Sequence, residues 1–237
     1  LTQLAPEGQL VAEPGAGQVA WFGHAEENGV PVYVSVRLKI ASGTILESET
    51  IVVRPTGLPL PFGDPKKLVH YDSFSEILPP ERRKPRERMI AVADAYFSTL
   101  ELNDGHVFAP LAHDCNRVEN GVVTTSAAFT AGSNAEGCDA QFKLGIFKIN
   151  KRIRDRRYPL IDEERGVILA TVTFDHANEF DEYRLTNGKM MKTFLKWPNS
   201  ISIMEIFKIV DGQIVDIEAM FDYVPYGMPA PFKGGAK

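Results

Sequence analysis

The chain has 237 residues, of which 44% are hydrophobic and 24% charged, with a formal net charge of −5. That is ordinary globular composition with ample length for a core. The acidic balance argues against a nucleic-acid partner, which calls for a basic face, and no stretch approaches the ~18 apolar residues of a membrane helix.

The first 15 or so residues, with Pro6, Gly8, Pro14 and Gly15, read as an irregular lead-in. Three strand-like runs follow, Gln18 to Glu26, Pro31 to Ile40 and Thr44 to Arg54. Turn signals at Glu27-Asn28-Gly29 and Ser42-Gly43 separate them, which predicts a three-stranded antiparallel meander. Residues 55–85 are proline-rich and read as a connector. The basic cluster Arg82, Arg83, Lys84, Arg86, Arg88 solvates its end and the start of the next helix.

That helix is amphipathic: Met89, Val92, Ala93, Tyr96, Phe97 and Leu100 fall at helical spacing, and Asn103-Asp104-Gly105 stops it. A short second helix is expected over about His106 to Ala112, then a strand near Asn116 to Thr125, a Gly/Ser/Asn loop and a third short helix from Cys138 to Phe147. The remainder reads as strands: Arg152 to Leu160, Gly166 to His176, Ser200 to Val210 and Gln213 to Tyr223. Asp211-Gly212 is a hairpin signal between the last two. Cys115 and Cys138 are too few for a disulfide scaffold; one bridge and two reduced thiols both fit. The first residues do not read as an uncleaved signal peptide, a start at Leu1 rather than Met leaves room for trimming, and the compartment stays open, with a soluble, cytoplasmic chain as the expectation.

An internal repeat is present. Lys39-Ile40, Gly43, Ile45 and Glu49 match Lys208-Ile209, Gly212, Ile214 and Glu218 at one offset. Phe22-Gly23-His24-Ala25 parallels Phe174-Asp175-His176-Ala177 at a smaller one. Two generic hairpins agreeing by chance and a reduced half-repeat over residues 16–54 are both open readings.

The residues Ala91-Val92-Ala93-Asp94-Ala95-Tyr96-Phe97, Leu111-Ala112-His113-Asp114-Cys115, Glu119-Asn120-Gly121 and Glu205 to Ile214 follow one another in a familiar order. Over about 86–230 the chain resembles the nuclear transport factor 2-like (SnoaL-like, cone-shaped) superfamily. The resemblance implies an α+β fold, a curved antiparallel sheet wrapped around a long helix and enclosing a mostly apolar pocket. The expected division is a β-meander and linker over residues 1–80 and a cone domain over 81–237. The superfamily includes polyketide cyclases, dehydratases, isomerases, epoxide hydrolases and cofactor-free lyases of aromatic compound metabolism, beside members that only bind partners; fold alone does not choose among them. Superfamily habit also implies a homodimer through the outer sheet face.

Among candidate site residues, His176 ends a face shared with Val172 and Phe174, which places its imidazole near a pocket mouth for proton transfer; a hydrogen-bonded structural histidine is the competing reading. His24 holds the parallel place beside Phe22. Asp114, after the second helix, is expected to turn into the pocket as a general base. Glu205 shares a face with Ile203 and Phe207, and Glu218 one with Ile214 and Met220; each is a candidate pocket carboxylate. Tyr96 offers a hydroxyl. Alternation from Arg152 puts Arg154 and Arg156 on one face, able to hold an anionic oxygen or to pair with Asp162, Glu163 and Glu164. No metal-ligand spacing, phosphate loop or nucleophile elbow occurs, so no cofactor and no metal are expected.

The expected function is a cofactor-independent lyase, dehydratase or isomerase acting on a small aromatic or polyketide-like hydroxylated substrate. His176 and Asp114 would serve as acid and base, with Tyr96 and Arg154 polarising oxygen, and Arg156, Glu205, Glu218, Phe174 and His24 as substrate contacts. The alternative is a non-catalytic ligand-binding or dimerisation domain.

Overall fold

The computed structural model describes residues 1–68, 70–126 and 136–231. Two sheets face each other. The first is a four-stranded antiparallel meander, β1 (Gln3–Glu13), β2 (Gln18–Glu27), β3 (Val30–Ala41) and β4 (Thr44–Val53). The lead-in read as irregular is therefore a strand. Its residues pair with β2 from Glu13↔Gln18 to Gly8↔Gly23 and, past a bulge, to Gln3↔Glu26.

After the connector comes helix α1 (Arg86–Leu102), closed by Asn103 in the left-handed conformation. The second helix expected at 106–112 is absent. Residues 106–110 are irregular, and β5 (Leu111–Glu119) begins where that helix was to end. Then follow β6 (Val122–Val123), α2 (Gly137–Leu144), β7 (Arg152–Asp162), β8 (Val167–His176), two short unforeseen strands β9 (Glu182–Arg184) and β10 (Met190–Lys192), β11 (Asn199–Val210) and β12 (Gln213–Val224). The Gly/Ser/Asn loop expected before α2 falls largely outside the described residues. Cys115 of β5 and Cys138 of α2 are joined by a disulfide.

The second sheet runs β6-β5-β12-β11-β8-β7, antiparallel except where β5 lies parallel to β12. Its inner face holds Ala170, Val172, Ile203, Phe207 and Ile217 against Met89, Tyr96 and Phe97 of α1 in one core. This is the expected cone: a sheet too curved to pack flat closes around one helix. Its outer face carries Leu160, Leu169, Met204, Ile206 and Met220, which share a second core with Val11, Ala20, Phe22, Tyr33 and Val53 of the meander. The outer face expected to carry a homodimer contact is thus buried within the chain. Among the described residues no helix is long and apolar enough to cross a membrane.

Two bulges reassign side chains that simple alternation places wrongly. In β7 the register slips between Arg154 and Arg157, at Asp155 with φ of 55°. Arg152 and Arg154 therefore stay on the outer face and grip Asp175, while Arg156 turns to α1 and binds Asp94, Ser98 and Glu101. Arg157 returns outward to Glu49 of β4. In the β11–β12 hairpin a slip at Lys208/Ile209 puts Ile214 inside and Glu218 outside, so these two do not share a face.

Candidate active site

The cone encloses a cavity of about 430 Å³. Its walls are apolar, from Phe147, Phe174, Ile201, Ile203 and Phe221, and its rim includes Pro59 and Leu60 of the connector, Phe194 and Tyr223. Polar groups concentrate at two places.

The floor is built by three elements. Residues of β5 alternate inward as Cys115, Arg117 and Glu119, and the parallel pairing with β12 holds them beneath α1. The Arg117 side chain is 1% exposed, yet each of its three guanidinium nitrogens has a partner. Its Nε donates to Thr124 Oγ1 at 3.0 Å, Nη1 to the Tyr96 hydroxyl at 3.3 Å and Nη2 to Gln141 Oε1 at 2.8 Å. It also lies 4.9 Å from the Phe147 ring centre, and its Nε is 3.2 Å from Glu119 Oε2. Burial opposes its charge, but Glu119 and Tyr96 more than offset this and hold its pKa above the ordinary arginine value.

Glu205 projects from β11 between Ala170 and Ala219 of the flanking strands, whose small side chains leave it room. Burial pushes its carboxyl up to about 8, reinforced by the Glu119 charge and opposed by Arg117 and by the Tyr96 hydroxyl. At neutral pH the floor thus presents a largely protonated acid beside an arginine-paired carboxylate. Tyr96, ringed by Phe97, Phe142 and Phe207, is raised well above its usual value by burial and then by Glu205, so its hydroxyl keeps its proton.

The other polar end belongs to His176. Its Nδ1 lies 3.0 Å from Asn199 Oδ1, and Nε2 lies 2.9 Å from the Asn150 side chain. Asn199 donates its amide N–H to the Trp197 carbonyl at 2.9 Å and Asn150 donates to the Leu100 carbonyl at 3.4 Å, so each ring nitrogen of His176 faces an amide oxygen. Burial lowers the imidazole pKa, against a raising effect of Asn199 and Asp175.

Of the residues expected in the site, Tyr96, Phe174, His176 and Glu205 line the cavity. Asp114 does not: on β5 rather than at a helix end, it points to solvent while Cys115 and Arg117 point in. Arg154 is held on the outer face by Asp175 and the Met228 carbonyl, and Arg156 is tied to α1. Glu218 is sealed between the sheets, 2.9 Å from His70 Nδ1. His24 sits on β2 in the other sheet. Arg117, Glu119, Asn150 and Asn199 were not foreseen. The first two had a signal in an Arg-x-Glu alternation continuing from Cys115 into the predicted strand. Among the described residues no group of three or more His, Cys, Asp or Glu is placed to hold a metal ion.

A family profile described as "Domain of unknown function (DUF8021)" matches residues 82–221. The chain belongs to the DUF8021 family. The matched segment contains every polar residue of the cavity floor and His176, whereas β1–β4 lie ahead of it. Comparison with curated proteins gives no match. The chain is similar to solved structures of AusH from Aspergillus nidulans (14% identity, 58% of this chain and 86% of that one, TM-score 0.37). It is likewise similar to an LEH-like epoxide hydrolase of M. tuberculosis (16%, 60% and 86%, TM-score 0.34). A third is an NTF2-like protein of unknown function from Burkholderia pseudomallei (13%, 57% and 91%, TM-score 0.33).

Proposed function

We propose that this DUF8021 chain is a cofactor-independent acid–base enzyme, an isomerase or dehydratase-type lyase for a small, largely apolar carbonyl or hydroxyl compound. The observation that carries the reading is the Glu205 carboxyl, pushed up to about 8 on the floor of an apolar cavity, beside the Tyr96 hydroxyl and the Arg117–Glu119 pair.

A substrate oxygen placed on this floor meets the Glu205 O–H, itself held by the Tyr96 hydroxyl, with the fixed Arg117 charge behind them. Glu119 then takes a proton from the carbon next to the carbonyl as Glu205 donates toward the oxygen, giving an enol. In a substrate with a C=C bond beyond that carbon the product is a dienol; Glu119 returns its proton to the far carbon as the enol O–H proton goes back to Glu205, which completes an isomerisation. If the carbon beyond it bears a hydroxyl, the enol instead expels that group: the C–O bond breaks, the departing oxygen takes the proton held by Glu119 and the enol O–H proton returns to Glu205, leaving a C=C bond beside the carbonyl and one water. Preorganised donors in a water-poor cavity supply most of the barrier reduction in such steps. This replaces the expected His176–Asp114 pair, since Asp114 lies outside the cavity. His176 is assigned to binding at the far end.

The test is a turnover screen of hydroxylated aromatic and polyketide-like ketones with the unmodified chain and Glu205→Gln. The expected result is a loss of ~10²–10⁴ in kcat in the variant, with ligand affinity preserved. Equal turnover by both proteins would remove Glu205 from the chemistry; binding without turnover across the screen would favour a ligand-binding domain.

A further inference from the structure

The β1–β4 meander repeats the cone sheet strand by strand, and only its first strand differs in register: β7 slips at Arg154/Arg157 and Arg157/Leu160, β1 at Leu4/Gly8. Strands β1, β2, β3 and β4 occur in the same order and pairing as β7, β8, β11 and β12. Both closing hairpins slip register at equivalent points, Lys39/Ile40 and Lys208/Ile209, and then pair Ile40↔Ile45 and Ile209↔Ile214. Both turns use two positive-φ residues, Ser42-Gly43 and Asp211-Gly212.

The entry to the second strand is also the same. Gly17 (φ 64°) and Gly166 (φ 63°) each accept a 2.7 Å bond from the amide of the bulged isoleucine, Ile40 or Ile209. A Cβ on either glycine would stand 2.1 or 2.2 Å from that isoleucine's carbonyl oxygen, so neither position admits a side chain. Chance agreement of two hairpins does not reach this far. The pairing also corrects the expected alignment: Gln18 corresponds to Val167, so His24 matches Thr173 and not His176.

The faces correspond as well. Val11, Ala20 and Ile51 are the counterparts of Leu160, Leu169 and Met220, and these two sets meet in one core. Equivalent faces packing on each other is the geometry of an isologous dimer. Here one copy has lost its helices. Where Ala170 sits under α1, its counterpart is Trp21, and Val172 is replaced by Gly23. A Cβ at Gly23 or Gly8 would fall 2.3 or 2.2 Å from the Trp21 ring, so the indole lies flat over both glycines. The counterparts of Glu205 and His176 are Val36 and Glu27.

We infer that β1–β4 is the strand half of a second cone, fused ahead of the intact one, that docks in cis on the face through which two whole cones would pair. The consequences are that the chain is a monomer by construction, that it has one working pocket, and that Trp21 stands in for the missing helix. This is independent of the reaction assigned to the pocket.

The test uses the unmodified chain. Sedimentation equilibrium over a wide concentration range is expected to return one species of 26.3 kDa; a persistent dimer with the outer face protected only in the dimer would overturn the inference. Native-state hydrogen exchange is expected to show β1–β4 opening with the same free energy as β8 and β11, and far earlier opening of β1–β4 would also overturn it. Trp21→Ala is expected to expose the concave face and raise the fluorescence of an apolar dye several-fold. No change there would show that the indole does not replace the helix.

Discussion

Glu205 and His176 stand at opposite ends of one cavity: on the same strand pair, Glu205 is matched with Ala170 and His176 with Asn199, six positions further along. Six residues of strand span roughly 20 Å, too far for two side chains to act on one bond. The cavity therefore has a reactive end and a binding end.

Changes at the two ends should separate in kinetics. His176→Ala is expected to raise KM about tenfold while kcat falls little, because the ring wall that orders Asn150 and Asn199 at that end is lost in both ground and transition states. Glu205→Gln should do the reverse. Steady-state kinetics on any substrate found by the screen checks both; a large kcat loss in His176→Ala would return the histidine to the chemistry.

The Glu205 carboxyl should also give stability a pH slope. Its folded value of about 8 lies above the ordinary 4.5, so the native state holds the proton more tightly than the unfolded chain. That contribution is fully present below 4.5 and is lost as pH rises through 8, by at most ~5 kcal/mol. Urea denaturation of the chain and of Glu205→Gln at several pH values measures it. The difference in stability between the two should shift against the unmodified chain as pH rises, and a flat difference would contradict the burial of the proton.

Asp155 turns the β7 arginines. Its φ of 55° disfavours β-branched residues, so Asp155→Val is expected to cost ~1–3 kcal/mol and to disturb Arg154 and Arg157 together. Asp155→Asn, which tolerates that conformation, should cost much less. Thermal unfolding of the two variants compares them directly.

The Cys115–Cys138 bridge closes a loop with a sequence separation of 23 and ties β5 to α2 beside the floor. Cys115→Ala is expected to cost about 3 kcal/mol by the loop-entropy argument. Because Gln141 of α2 holds Arg117, ligand affinity should fall as well. Calorimetry with and without ligand reads both effects.

Much of this was legible from residue order. The helix at Arg86 to Leu102, the Asp211-Gly212 hairpin and the strand parity of Val172, Phe174 and His176 follow from local periodicity and turn chemistry, which report on neighbours in sequence. The failures have a shared cause. Alternation counts residues evenly, so it misplaced Arg156 and Glu218, each lying just beyond a bulge that inserts an unpaired residue. Asp114 was misplaced because a short apolar run before Cys115 reads equally as helix end or strand start, and only pairing with β12 decides for a strand.

By itself, then, the sequence determined the order of the cone's strands around one long helix, the likeness of the Lys39–Glu49 and Lys208–Glu218 hairpins and the shared face of Val172, Phe174 and His176, and offered Tyr96, Glu205 and Glu218 as candidates. Only the tertiary structure decided that Arg117 and Glu119 meet Glu205, that His176 lies a cavity's length away, and that a second sheet closes the outer face. These are contacts between strands distant in the chain, set by sheet order and register, which no local pattern of residues encodes.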